Sequence, residues 1–175
     1  MFRRFDICIV LFLALNACYW VVLNALNSLA SPYAAFVLPA VFIVPAAVYM
    51  KPVSAAVVVA FAAFAATCNE PVNSFAVCAV WVGVALVVNA VRFRFRGAGW
   101  LSSVALMEIA NTAVFLYYAL AFPFGAQSVG AYVERVFSDW AFSGLALVFC
   151  ARFCMDLPVA IAGFFGVDIT VGEDI

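Results

Sequence analysis

Residues 53–96 read "VSAAVVVAFAAFAATCNEPVNSFAVCAVWVGVALVVNAVRFRFR". Two Ala- and Val-rich apolar runs stand either side of "NEPVN" (69–73), and the second ends abruptly in three arginines. A membrane β-barrel would alternate apolar and polar positions along each strand, whereas these runs are continuous. They are the pattern of helices passing through an apolar medium and turning at Pro and Asn.

Working outward, the same texture covers the chain. Hydrophobic residues make up 70% of its 175 residues and charged residues 10%, against roughly half and a quarter in soluble domains. The expected fold class is therefore all-α, a polytopic transmembrane helical bundle forming one integral membrane domain over residues 1–175. Six spans are expected, at about 7–30, 33–50, 53–68, 74–91, 101–122 and a last one from 140. Ser31-Pro32, Lys51-Pro52 and "NEPVN" supply turns. Pro39 and Pro45 interrupt the second span, and the third is short for a 30 Å core. The start "MFRRFDICIVLFLALNAC" resembles a cleaved leader, but its apolar run continues beyond Cys18 far enough to span, so it is expected to remain.

Charge placement orients the bundle. Arg3 and Arg4, Lys51, and Arg92, Arg94 and Arg96 all fall on one side of six spans, leaving only Arg135 opposite. The positive side faces the cytoplasm, which puts both termini there. Arg92, Arg94 and Arg96 fix this topology and suit anionic lipid headgroups. In the longest outer connection, about 128–137, Val129, Tyr132, Val133, Val136 and Phe137 recur at helical spacing, as in an amphipathic helix lying on the membrane surface.

The composition also excludes. The chain has no histidine, which removes Ser-His-Asp and Cys-His catalysis and the usual zinc sites. No phosphate-binding glycine loop or aspartate-rich metal cluster is present, so no enzyme chemistry, metal or cofactor is indicated. A net charge of −1 without a basic tail argues against nucleic acid, leaving membrane lipid and other membrane proteins as partners. The six cysteines read as small hydrophobes, although Cys150 and Cys154 share a helical face.

Four polar residues inside spans five and six remain. Glu108 and Asn111 share one helical face, as do Arg152 and Asp156 in "ARFCMDLP". Ionisable groups there are costly and normally face the bundle interior. If Pro158 ends the last span at about 157, Arg152 lies about 7.5 Å and Glu108 about 10 Å from the cytoplasmic end. The expected outcome is then an interhelical Glu108–Arg152 ion pair, a lock between two helices, with Asp156 nearer the interface. If the helix instead continues through a kink to about 166, Arg152 lies about 21 Å deep and Asp156 near Asn111. Asn16, Asn24, Asn27 and Asn89 add groups able to hydrogen-bond between helices.

From "PYAAFVLPAVFIVPAAVYMKP" through "AAFAATCNEPVNSFAVCAVWVGVALVVNAVRFRFR" the layout resembles the MreD family of bacterial rod shape-determining membrane proteins. The likeness lies in a proline-bearing second span, a small-residue third span, and basic residues after the fourth. Glu70 falls about where that family carries its acid, although "NEP" here replaces the family's acidic turn and alanine fills a third helix that in the family contains glycine and an aspartate. The resemblance implies a non-enzymatic assembly factor of the bacterial cytoplasmic (inner) membrane, working with MreC-like and RodA-like proteins in peptidoglycan elongation. It also implies a fold similar to the substrate-binding subunits of energy-coupling-factor transporters. Such a subunit is the alternative function, set second because the outer turns "SP" and "NEPVN" are short for capping a pocket.

Overall fold

The structure, a computed structural model, describes residues 2–30, 35–68, 73–95, 99–121 and 128–169. Among them every regular element is helical: α1 Phe2–Ala30, α2 Pro39–Tyr49, α3 Pro52–Thr67, α4 Ser74–Val91, α5 Trp100–Ala121 and α6 Val129–Phe164, with a 3-10 turn at Arg92–Arg94. Four of these, α1, α4, α5 and α6, are long and apolar enough to cross a membrane. The all-α expectation holds, but the six spans resolve into four long helices and two short ones.

The departure is sharpest at the second span. Residues 35–38 are not helical, and α2 has only 11 residues, about 16 Å, too short to cross a 30 Å core. Proline stands near both of its ends. Pro39 occupies the first turn, where its missing N–H would have had no partner. At the other end Met50 is already extended, at φ −106° and ψ 163°, and Pro52 holds Lys51 at φ −67° and ψ 153°, so the helix does not resume before α3. Every residue from Pro39 to Val48 is buried, including Ala40, Ile43, Val44, Ala46 and Ala47 at 0% exposure. A helix apolar all round belongs in lipid or among other helices, and burial on every side places this one among helices. Accordingly α2 is the axis of the bundle, packed against α3, α4 and α5 and also touching α1 and α6.

The last helix departs the other way. It runs unbroken from Val129 to Phe164, so the segment expected to lie on the surface is its first three turns. Nothing between 128 and 140 breaks a helix; Ser128 caps the start by accepting from Ala131 N at 3.3 Å. Tyr132 and Val136 turn inward, while Val129, Val133 and Phe137 stay exposed. Pro158 lies within the helix and does not end it. At 36 residues, about 54 Å, α6 is longer than any bilayer core requires.

The true stop is at Gly166. Its φ of +71° lets Gly166 N donate to Gly163 O (3.0 Å) and Val167 N to Ala162 O (2.9 Å), the paired bonds that close a helix C-terminus. Val167 and Ala162 are both buried there. A Cβ at Gly166 would meet open space, so Gly166→Ala isolates the backbone strain. It is expected to cost about 1–2 kcal/mol in detergent unfolding, with Gly166→Asn costing less.

Contacts along the α5–α6 seam fix its register. Tyr132 Oη donates to Ala119 O (2.9 Å), Trp140 Nε1 to Thr112 Oγ1 (3.1 Å), and Trp100 Nε1 to Val148 O (3.1 Å). The numbers rise on α6 as they fall on α5, so the two helices are antiparallel.

Candidate functional site

A non-helical backbone segment inside an apolar bundle needs partners for its N–H and C=O groups, and side chains supply them here. Asn27 on α1 brackets Phe36 from both sides: its Oδ1 accepts from Phe36 N at 2.6 Å and its Nδ2 donates to Phe36 O at 3.0 Å. From α6, Asp139 Oδ1 accepts from Ala35 N at 2.8 Å and the fully buried Ser143 Oγ accepts from Val37 N at 2.9 Å. Asp139 uses its other oxygen for Arg135 Nε at 3.0 Å. One strand of backbone thus ties α1 to α6.

The C-terminal end of α2 is braced in the same way. Asn89 on α4 donates from Nδ2 to Ala47 O (2.6 Å) and Met50 O (2.9 Å), and Arg92 Nη1 donates to Met50 O at 2.7 Å. These are carbonyls that a helix end leaves without internal partners. Arg92, expected to meet lipid, therefore has a second task; Arg94 lies in the same 3-10 turn.

At the N-terminal end of α2, the braces border a cavity of about 630 Å³ lined by Asn24, Asn27, Phe36, Trp81, Tyr118, Tyr132, Arg135 and Asp139 among others. Trp81 Nε1 donates to Tyr118 Oη at 3.0 Å, and the Phe42 ring lies 5.9 Å from that of Trp81. Aromatic walls with a few converging polar groups, at this volume, match the usual make-up of a small-molecule pocket. A second hollow of about 380 Å³ runs between α1 and α3 past Asn16, Trp20 and Phe61.

The four polar residues singled out in spans five and six do not form one network. Arg152 pairs with Asp156 one turn along its own helix, and both side chains are about half exposed. Glu108 instead faces Gly144, where an added Cβ would stand 3.2 Å from its Oε2. Gly144 and Arg152 are two turns apart, roughly 12 Å, so the expected Glu108–Arg152 lock is not made. The physical reason is the helix ends: depth counted from a helix over 140–157 places Arg152 too near Glu108, because α6 starts earlier and continues past Pro158. Trp100, the first residue of α5, bonds one turn before Arg152, so the Arg152–Asp156 pair lies at the N-terminal end of α5.

Asn111 is fully buried, and neither its Oδ1 nor its Nδ2 has a hydrogen-bond partner among the described residues. Leucine has the same branched skeleton of four side-chain heavy atoms, although it is bulkier, and carries no unmet polar group. Asn111→Leu is therefore expected to raise unfolding free energy in detergent by about 1–2 kcal/mol. A loss of stability would instead mean that the amide is satisfied. Arg96 and Glu70 lie outside the described residues. All six cysteines are free thiols, and no group of three or more potential metal-ligating side chains occurs among the described residues.

Sequence reasoning marked Asn27 as a group able to hydrogen-bond between helices and gave no role to Asp139 or Ser143. Their partners are backbone N–H groups, which every residue but proline has, so the only available signal was the place where α2 breaks. No protein-family model matches the chain, and neither a curated protein nor a solved structure matches it.

Proposed function

We propose that this chain is a non-enzymatic multi-pass membrane assembly factor, resembling a rod shape-determining protein of the MreD type that supports peptidoglycan elongation. It resides in a bacterial inner membrane with both termini in the cytoplasm and partners MreC-like and RodA-like proteins. The observation that supports this reading is how the polar side chains within the bundle are spent. Asn27, Asp139 and Ser143 at one end of α2, and Asn89 and Arg92 at the other, hold a buried broken helix rather than converge on a reacting centre. The orientation has support from the bond between Arg92 and Met50, which brings the basic residues at Lys51 and Arg92–Arg94 to one end of the bundle.

The test is affinity purification of the tagged chain from its native membrane in mild detergent. Recovery of MreC-like or RodA-like proteins, with loss of cell width control on depletion, is the expected result. The cavity of about 630 Å³ favours one second reading, the substrate-binding subunit of an energy-coupling-factor-type transporter. Recovery of an ATPase pair with a coupling membrane subunit would replace the first reading with this one.

A further inference from the structure

With Arg152 engaged by Asp156 inside α6, the register of the α5–α6 seam leaves Glu108 facing a glycine. Among the described residues Glu108 makes no hydrogen bond and no ion pair. It lies eight residues along α5 from Trp100, roughly 12 Å from that end and 20 Å from Ala121. An ionised carboxylate at such depth is costly, and it keeps its charge there only if something answers it.

The ground around it suits a close approach. Ala105 and Ile109 on α5 and Ala141 and Leu145 on α6 are exposed, and Gly144 lies between them under the carboxylate. Ala105, Ala141 and Gly144 let a further helix come near the backbone, with Ile109 and Leu145 as apolar flanks to pack against it.

We propose that Glu108 is the anchor for a transmembrane helix of a partner protein, laid along the α5–α6 seam and bringing a lysine or arginine to mid-membrane depth. This rests on the assembly-factor reading and says how one partner is held. Charge complementarity selects the occupant. Hydrocarbon tails carry no counter-charge, and lipid headgroup amines lie about 15 Å from the bilayer centre. A second copy on a two-fold axis through the seam would bring one Glu108 towards another, like charge towards like.

The test places a photocrosslinking amino acid at Ala105 of the full chain in native membranes and maps the adducts by mass spectrometry. The expected adduct is to a transmembrane segment with a lysine or arginine within one turn of the attachment point. Glu108→Gln, which keeps the shape but not the charge, is expected to lower its yield at least tenfold, while Glu108→Asp retains most of it. Should Glu108→Gln fold poorly, the charge swap decides: Glu108→Lys loses the adduct and glutamate at the partner's cation restores it. Equal yield from Glu108→Gln, no restoration by the swap, or adducts only to lipid, to a second copy or to a segment without a cation would overturn the proposal. Co-purification separates it from the broader reading. If wild type and Glu108→Gln recover the same elongation proteins, Glu108 is not the anchor and the assembly reading stands. If wild type recovers no membrane protein, both fall.

Discussion

Asn89→Leu is expected to lower the unfolding free energy of the purified protein by about 2–4 kcal/mol, read by denaturant titration in detergent. Leucine is bulkier than asparagine and leaves no hole, so the loss would come chiefly from the two carbonyls left behind. Ala47 O is among the terminal carbonyls of α2 that no intrahelical N–H reaches, and it receives the shorter of the two Asn89 bonds at 2.6 Å. Met50 O keeps Arg92 as a second donor, which caps the effect below the sum of two orphaned groups. Asn89→Asp is the discriminating control. It is isosteric, yet it exchanges the donor for an acceptor facing two carbonyl oxygens, and should cost at least as much as leucine. A harmless Asn89→Asp would refute the bracing role.

At the other end of α2, Asn27→Leu is expected to cost a similar 2–4 kcal/mol, because it removes a donor and an acceptor from the same residue, Phe36. Asn24, a turn away on α1 and exposed, is the control: its replacement by leucine should change stability by no more than about 0.5 kcal/mol. The two braces are separated by the 11 residues of α2, so their effects should add if each holds its own end. A double variant markedly less affected than the sum would show that α2 comes loose as a unit once either brace is cut. The cavity of about 630 Å³ should also feel Asn27→Leu, since Phe36 and Asn27 both form part of its wall.

How much of this was legible beforehand depends on what each residue meets. The helical class and the limits of α1, α3, α4 and α5 followed from continuous apolar runs ended by Pro, Asn and Arg, and the structure places them within a residue or two at nearly every end. The second span was misread because a run such as "PAVFIVPAAVY" is equally at home in lipid or among other helices; apolar composition does not say which surrounds it. The sixth was misread because an amphipathic stretch and an apolar one follow each other without a breaker. Arg152 and Asp156 could be placed on one helical face from their spacing, and their pairing is local. Glu108 could not be assigned a neighbour, because interhelical register depends on where both helices begin. The braces at Asn27, Asp139, Ser143 and Asn89 were out of reach for a related reason: their partners are main-chain atoms exposed only by a break that Pro39 hides as an ordinary kink.

The bracing of residues 35–38 also sets a timetable for biosynthesis. Ala35 N is satisfied by a residue 104 positions downstream and Val37 N by one 106 positions downstream. At a translation rate of about 5–20 residues per second, the acceptors emerge about 5–20 s after the donors. Throughout that interval Asn27 already holds Phe36, and α3, α4 and α5 can pack around α2, but the N–H groups of Ala35 and Val37 have no partner. Water or the insertion machinery must answer these two groups until α6 arrives. Completion of the last helix, rather than insertion of the second, is the step that completes the bracing of residues 35–38.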